Sequence, residues 1–181
     1  MGLFDFLKKK KEPDYDPTNI GVKDLKKGFV FDYDLKTWQV LEEYEYDWGD
    51  NYFTQEYKIE AGNDDAYLHV DPNEDMFITL TRKVRIRSIR EDIPEKIVEK
   101  QRPPKKLEYE GRTFYLEGQN PGYFNNQPDN ENTWTELISW DYYDDKGEFT
   151  IAIEQWGERD FEASYGVVVK PFEIDNILPG E

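Results

Sequence analysis

Four short segments recur in the same order in two parts of this chain, and that duplication constrains the fold more than any other feature. Thr37-Trp38-Gln39-Val40-Leu41-Glu42 resembles Thr113-Phe114-Tyr115-Leu116-Glu117. Phe53-Thr54-Gln55-Glu56-Tyr57-Lys58-Ile59 resembles Trp134-Thr135-Glu136-Leu137-Ile138-Ser139-Trp140, and Ala66-Tyr67-Leu68-His69-Val70-Asp71 resembles Phe149-Thr150-Ile151-Ala152-Ile153-Glu154. Phe77 then falls against Phe161. The offset between copies grows along the chain. The second copy carries the insertions, the largest in the turn-rich stretch GQNPGYFNNQPDNEN.

The repeated segments have the character of strands: short, aromatic and β-branched, and bounded by Gly, Asn, Asp and Pro. In TWTELISWDYYDDKGEFTIAIEQW, residues 133–156, the side chains of Trp134, Glu136, Ile138, Trp140 and Tyr142 share one face. Asp144-Asp145-Lys146-Gly147 makes a turn with Gly147 in a left-handed position, and Phe149, Ile151 and Ile153 return on one face. The expected core therefore includes Trp134, Ile138, Phe149, Ile151 and Ile153.

Helix signals are short. Residues 92–100, DIPEKIVEK, place Asp92 near a cap and Pro94 in the first turn, and Arg102-Pro103-Pro104 ends the segment. The N-terminal GLFDFLKKKK has a second short helical pattern. The expected fold is all-β: two related small antiparallel sheets or half-barrels packed together, with a linker helix and an N-terminal helix. The divisions are an amphipathic, basic segment and loop (1–19), a first β repeat (20–89), a linker with a short helix (90–106) and a second β repeat (107–181).

Composition narrows the function classes. The chain has 181 residues, no Cys and one His, so disulfides, thiolate metal sites and multi-histidine zinc sites within one chain are excluded. A net charge of −17 argues against nucleic acid, which needs clustered Lys and Arg. Two acidic blocks, 12–81 and 107–181, flank a basic 82–106. Aromatic residues make up 16% of the chain, far above what disordered segments carry. No apolar run approaches the ~20 residues of a membrane-spanning helix. In MGLFDFLKKKKE the charges follow the apolar stretch, which is not the order of a secretory signal. The expected location is the cytoplasm, with peripheral contact at the inner membrane face.

The pattern resembles the bacterial domain-of-unknown-function family 4178. The residues that carry it are Asp24-Leu25-Lys26-Lys27-Gly28 before Phe29-Val30, Thr37-Trp38-Gln39-Val40, the aromatic-Thr-Gln/Glu strand, Leu68-His69-Val70-Asp71 and Ile151-Ala152-Ile153-Glu154. It covers roughly residues 22–87 and, more loosely, 107–178, read as two tandem copies. The second copy departs by its long loop and by lacking a counterpart of Gly28. The resemblance implies an all-β domain without an assigned activity, in a membrane-stress context.

Several residues invite a chemical reading. Glu136 sits among aromatics and its counterpart is Gln55, so that position is polar in both copies; a buried carboxylate there must be paired, hydrogen-bonded or protonated. Glu136 and Glu154 could flank a cleft as glycosidase carboxylates do, but among 40 acidic residues such pairs arise by chance, and no catalytic residues are expected. Asp71-Pro72-Asn73-Glu74-Asp75 begins like a calcium loop yet has Met76 at the sixth position and Arg82 at the twelfth. His69 alternates with Leu68 and Val70 and is expected on the surface. Arg82-Lys83-Val84-Arg85-Ile86-Arg87 reads as a basic strand that neutralises an acidic neighbour or guards an edge.

Two function classes follow. The first is a non-enzymatic interaction or scaffold module with a protein partner. The second is a ligand-binding module for a polycation such as a polyamine, or for a sugar, through an acidic-aromatic surface of Gln55, Trp134, Glu136, Trp140, Glu154 and Trp156. Neither implies a metal or cofactor. Leu3, Phe4, Phe6 and Leu7 form an apolar tip, and Lys8, Lys9, Lys10 and Lys11 a basic collar, suited to weak contact with an anionic membrane surface.

Overall fold

The computed structural model describes residues 14–73, 75–126, 128, 130 and 133–180. The N-terminal residues Leu3 to Lys11 lie outside this set. The protein is mostly β. Its strands are β1 (Val30–Tyr33), β2 (Lys36–Asp47), β3 (Phe53–Ala61), β4 (Asp64–Asp71), β5 (Phe77–Val84), β6 (Lys106–Tyr109), β7 (Arg112–Asn125), β8 (Trp134–Asp144), β9 (Phe149–Gly157), β10 (Asp160–Val169) and β11 (Asp175–Leu178). Helices α1 (Ile86–Ile89) and α2 (Ile93–Lys100) join β5 to β6. In α2, Pro94 lies in the first turn and Gln101 ends the helix in a left-handed conformation, φ 59°.

All strands belong to one antiparallel sheet ordered β11-β1-β2-β3-β4-β5-β10-β9-β8-β7-β6, and a further β2–β7 pairing closes it into a ring. Each half of the chain runs as a five-strand meander, β1 to β5 and β6 to β10. Two seams join the halves: β5 against β10, where Thr81 faces Gly166, and β2 against β7, where Tyr46 faces Phe124. β11 returns from the second half to pair with β1.

Two β-bulges decide which side chains point where. In β2 the register with β3 skips Leu41, between Val40 and Glu42. Before the bulge Trp38 and Val40 face the apolar side with Ile59; beyond it Tyr44 and Tyr46 face the opposite side with Glu56 and Thr54. In β7 the skipped residue is Glu117. Phe114 and Leu116 precede it on the apolar side, whereas Asn120 and Phe124 follow it on the side of Ser139 and Thr135. One extra residue in a period-two strand exchanges its faces.

Each half thereby curls around its own core. One contains Phe31, Trp38, Val40, Ile59, Leu68 and Leu80, covered by Leu25, Phe29 and Ile174. The other contains Phe114, Trp140, Tyr142, Ile151 and Ile153, covered by Ile93 and Ile97 of α2. Ile151 and Ile153 are fully buried as expected, and Ile138 and Phe149 pack against the same cluster. Trp134 does not join it: as the first residue of β8 it is only half-buried, and Trp140 fills the core instead. Gly147 has the expected positive φ, 66°.

The basic segment is not an edge, since β5 pairs on both sides. Arg82 and Lys36 both grip Asp64, at 2.8 and 2.6 Å. Among the described residues no helix is long and apolar enough to cross a membrane.

Candidate functional site

The faces of β3, β4, β5, β8 and β9 that turn away from the two cores turn toward one another across the ring. They enclose a cavity of about 300 Å³, at the lower end of the size range of small-molecule sites. Small hydroxyl residues line much of it, including Thr54, Thr79, Thr81, Ser139 and Thr150, all buried. Tyr52 and Phe77, each 40% exposed, mark where it meets solvent.

Inside is a cluster of ionisable groups drawn from both halves. His69 Nδ1 lies 3.7 Å from Glu56 Oε2. The Tyr46 hydroxyl lies 3.3 Å from Glu56 Oε1 and 3.4 Å from Glu154 Oε1, joining β3 to β9. Lys83 Nζ is 3.6 Å from Glu154 and 2.6 Å from Glu162, and sits 5.2 Å from the centre of the Tyr67 ring. Asp141 accepts from Asn120 Nδ2 at 2.7 Å and Ser139 Oγ at 3.1 Å. Asp71 accepts from the Tyr52 hydroxyl.

Enclosure perturbs these groups. Burial pushes the Glu154 carboxyl up; Lys83 pulls it down, Glu56, Glu162 and Asp141 push it further up, and the result is about 7. Burial also raises Asp141, against the hydrogen bond from Ser139 and the neighbouring His69 and Asn120. Burial lowers His69 and Lys83, but surrounding carboxylates outweigh it in both cases, Glu56 foremost for His69 and Glu154 for Lys83, so both rise. The Tyr46 hydroxyl is raised by burial and then by Glu154 and Glu56.

Aromatic rings close one flank. Tyr46 stacks on Trp48 at 5.2 Å, and Phe124 meets Tyr46 and Trp156 at 5.1 Å each. Trp156 Nε1 is buried without a hydrogen-bond partner among the described residues.

The residues expected to form an acidic-aromatic surface divide between the two faces of the sheet. Glu154 points into the cavity, and Trp156 shares its strand face. Glu136 is exposed on the outer face, so it does not meet Glu154: Ser139, not Glu136, lies opposite Glu154. Trp140 is in the second core with Nε1 donating to Gln119 Oε1 at 3.0 Å. Trp134 and Gln55 also lie on faces turned from the cavity. His69 faces away from the apolar core, as alternation requires, but into the cavity rather than onto open surface. Sequence reasoning missed Glu56, Lys83 and Asp141 as partners of Glu154. The available signal was the small Thr and Ser residues at alternate positions, where a solvent face more often carries Lys or Glu.

A family model described as "Domain of unknown function (DUF4178)" matches residues 26–171 as one span across both halves. The chain belongs to this family. Among curated relatives of this DUF4178 protein is an "Uncharacterized protein" of Aquifex aeolicus (strain VF5), 25% identical over 184 residues, covering 99% of each chain. No solved structure matches.

Proposed function

We propose that this protein is a binding module that holds a small polar ligand inside its barrel. The observation that carries this reading is the unfilled, ionisable interior. Small barrels with a purely structural role fill their lumen with packed side chains. Here both apolar cores lie on the far faces, and the enclosed face bears Glu56, His69, Lys83, Asp141 and Glu154 around open space. Enclosing such groups costs stability unless they are paired, and functional sites are where that cost recurs. The reading is one of binding, and Glu136, weighed against Glu154 from sequence and set aside, lies on the opposite face from it.

A thermal-shift screen of the full chain against small polar metabolites, sugars and amines included, tests this. At least one compound should raise the melting temperature, and Ala152→Phe, which fills the cavity, should abolish the shift. Shifts that survive the cavity-filling change would place binding elsewhere and overturn the reading.

The basic N-terminal segment is proposed separately as a peripheral contact to anionic lipid, supported by its sequence of apolar tip and lysine collar. Co-sedimentation of the full chain with anionic vesicles, against a chain starting at Pro13, tests it. Equal recovery in the supernatant would end the idea.

A further inference from the structure

Resting on the cavity as the binding site, we infer that its ligand carries a protonated amine, which seats between Glu56 and Glu154 beside Tyr46 and displaces a carboxyl proton. The protein already shows how this lumen treats an ammonium. Lys83 lines the same cavity, reaches Glu154 and Glu162, and lies over the face of Tyr67. Carboxylate and aromatic face are the two elements that hold organic cations.

Lys83 does not satisfy the cavity. Four carboxylates line it, Glu56, Asp71, Asp141 and Glu154, and Lys83 is shared with Glu162, which lies outside that lining. Asp71 and Asp141 have neutral donors of their own. The Glu56–Glu154 pair shares the Tyr46 hydroxyl, which carries one proton for two carboxyl neighbours, and its cations stand farther off, His69 Nδ1 3.7 Å from Glu56 and Lys83 Nζ 3.6 Å from Glu154. When Tyr46 donates to one, the other approaches as a donor only if it is itself protonated. An ammonium brings three donors and a full charge to this place, whereas a sugar hydroxyl brings one donor and no charge.

Proton balance follows. The groups facing Glu154 are Tyr46 on β2, Glu56 on β3, His69 on β4, Lys83 on β5, Asp141 on β8 and Glu162 on β10. When the amine binds as its cation, Glu154 becomes a carboxylate and its proton leaves to solvent. As pH rises from 6 to 8 Glu154 gains its negative charge, so capture of a cation strengthens.

Isothermal titration calorimetry of the full chain tests this. The probes are primary amines from butylamine to 1,6-diaminohexane, each beside the alcohol of equal length. Titrations run at pH 6 and 8 in two buffers of different ionisation enthalpy. At least one amine should bind saturably, at least tenfold tighter at pH 8, with proton release at the lower pH, while its alcohol does not bind. Glu154→Gln should weaken binding at least tenfold and remove the buffer dependence, with Glu56→Gln as a second variant should the first not fold. Glu136→Gln, on the outer face, should leave binding unchanged and so separates the cavity from the general acidity of the surface. Amine binding indifferent to Glu154→Gln and Glu56→Gln, or equally lost in Glu136→Gln, overturns the inference, as does the absence of amine binding. If a neutral compound binds and Ala152→Phe blocks it, the amine falls while the cavity reading stands.

Discussion

Lys83 and Glu154 meet across an intervening strand. β5 and β9 do not pair with each other, both pair with β10, and Lys83 Nζ reaches to 3.6 Å from Glu154 Oε2. A residue from each half of the chain is thus joined inside the barrel.

Burial raises the Glu154 carboxyl, and that ion pair opposes it. Lys83 pulls the carboxyl down against burial and the carboxylates around it. Lys83→Met should therefore move Glu154 upward from about 7. A 13C-detected NMR titration of the Glu154 carboxyl reads the shift directly; no movement would show that the pair is not coupled.

The same group makes stability depend on pH. The Glu154 pKa is raised on folding, so between the ordinary carboxylate range and about 7 the folded state binds the extra proton. Its contribution favours folding at the acid end and is lost as pH rises through about 7. Glu154→Gln, which keeps the protonated shape, should flatten this part of the profile and be relatively more stable at pH 8 than at pH 5. Urea midpoints at both pH values measure it. An unchanged profile would remove Glu154 as its source.

The seam between β5 and β10 depends on a missing side chain. A Cβ at Gly166 would fall 1.9 Å from the Leu80 carbonyl oxygen, a backbone atom that cannot step aside without moving β5. Gly166→Ala should cost about 1–3 kcal/mol or more. Gly157→Ala, whose Cβ would meet only Asp160 Cβ at 3.7 Å, should cost much less. Chemical denaturation of the two variants compares them.

How much of this was legible follows from what period-two patterning encodes. Apolar alternation in β9 named Ile151 and Ile153 correctly, because that strand turns one face to a core. It also named Trp134, whose position at the strand's start leaves it half-buried and whose expected place is taken by Trp140. Alternation says which residues share a face, not what covers that face. His69 reads as solvent-facing because ring closure, set by β2–β7 and β5–β10, is a long-range event. Trp140→Ala should accordingly cost about 3–5 kcal/mol and Trp134→Ala clearly less, reversing the order that pattern alone suggests. Urea denaturation of both variants checks this.

The bulge at Leu41 is the device that turns β2 from core wall to cavity wall. If every residue of β2 paired in turn, with no bulge at Leu41, the strand beyond it would keep its original alternation. Tyr44 and Tyr46 would then face the first core, and Glu43 and Glu45 would face the cavity. That core has no room for two more aromatic rings beside Trp38, Tyr57 and Ile59, all 3% exposed or less. The cavity would lose the hydroxyl that joins Glu56 to Glu154 and the ring on which Trp48 stacks. Deleting Leu41 should nonetheless leave those faces unchanged, since Glu42 then follows Val40 directly and keeps the partner, Lys58, that it already has. The expected outcome is a β2–β7 seam that stays closed, with the amides of both strands protected from hydrogen exchange. Loss of that protection would show that the local twist of the bulge, and not only its register, closes the seam.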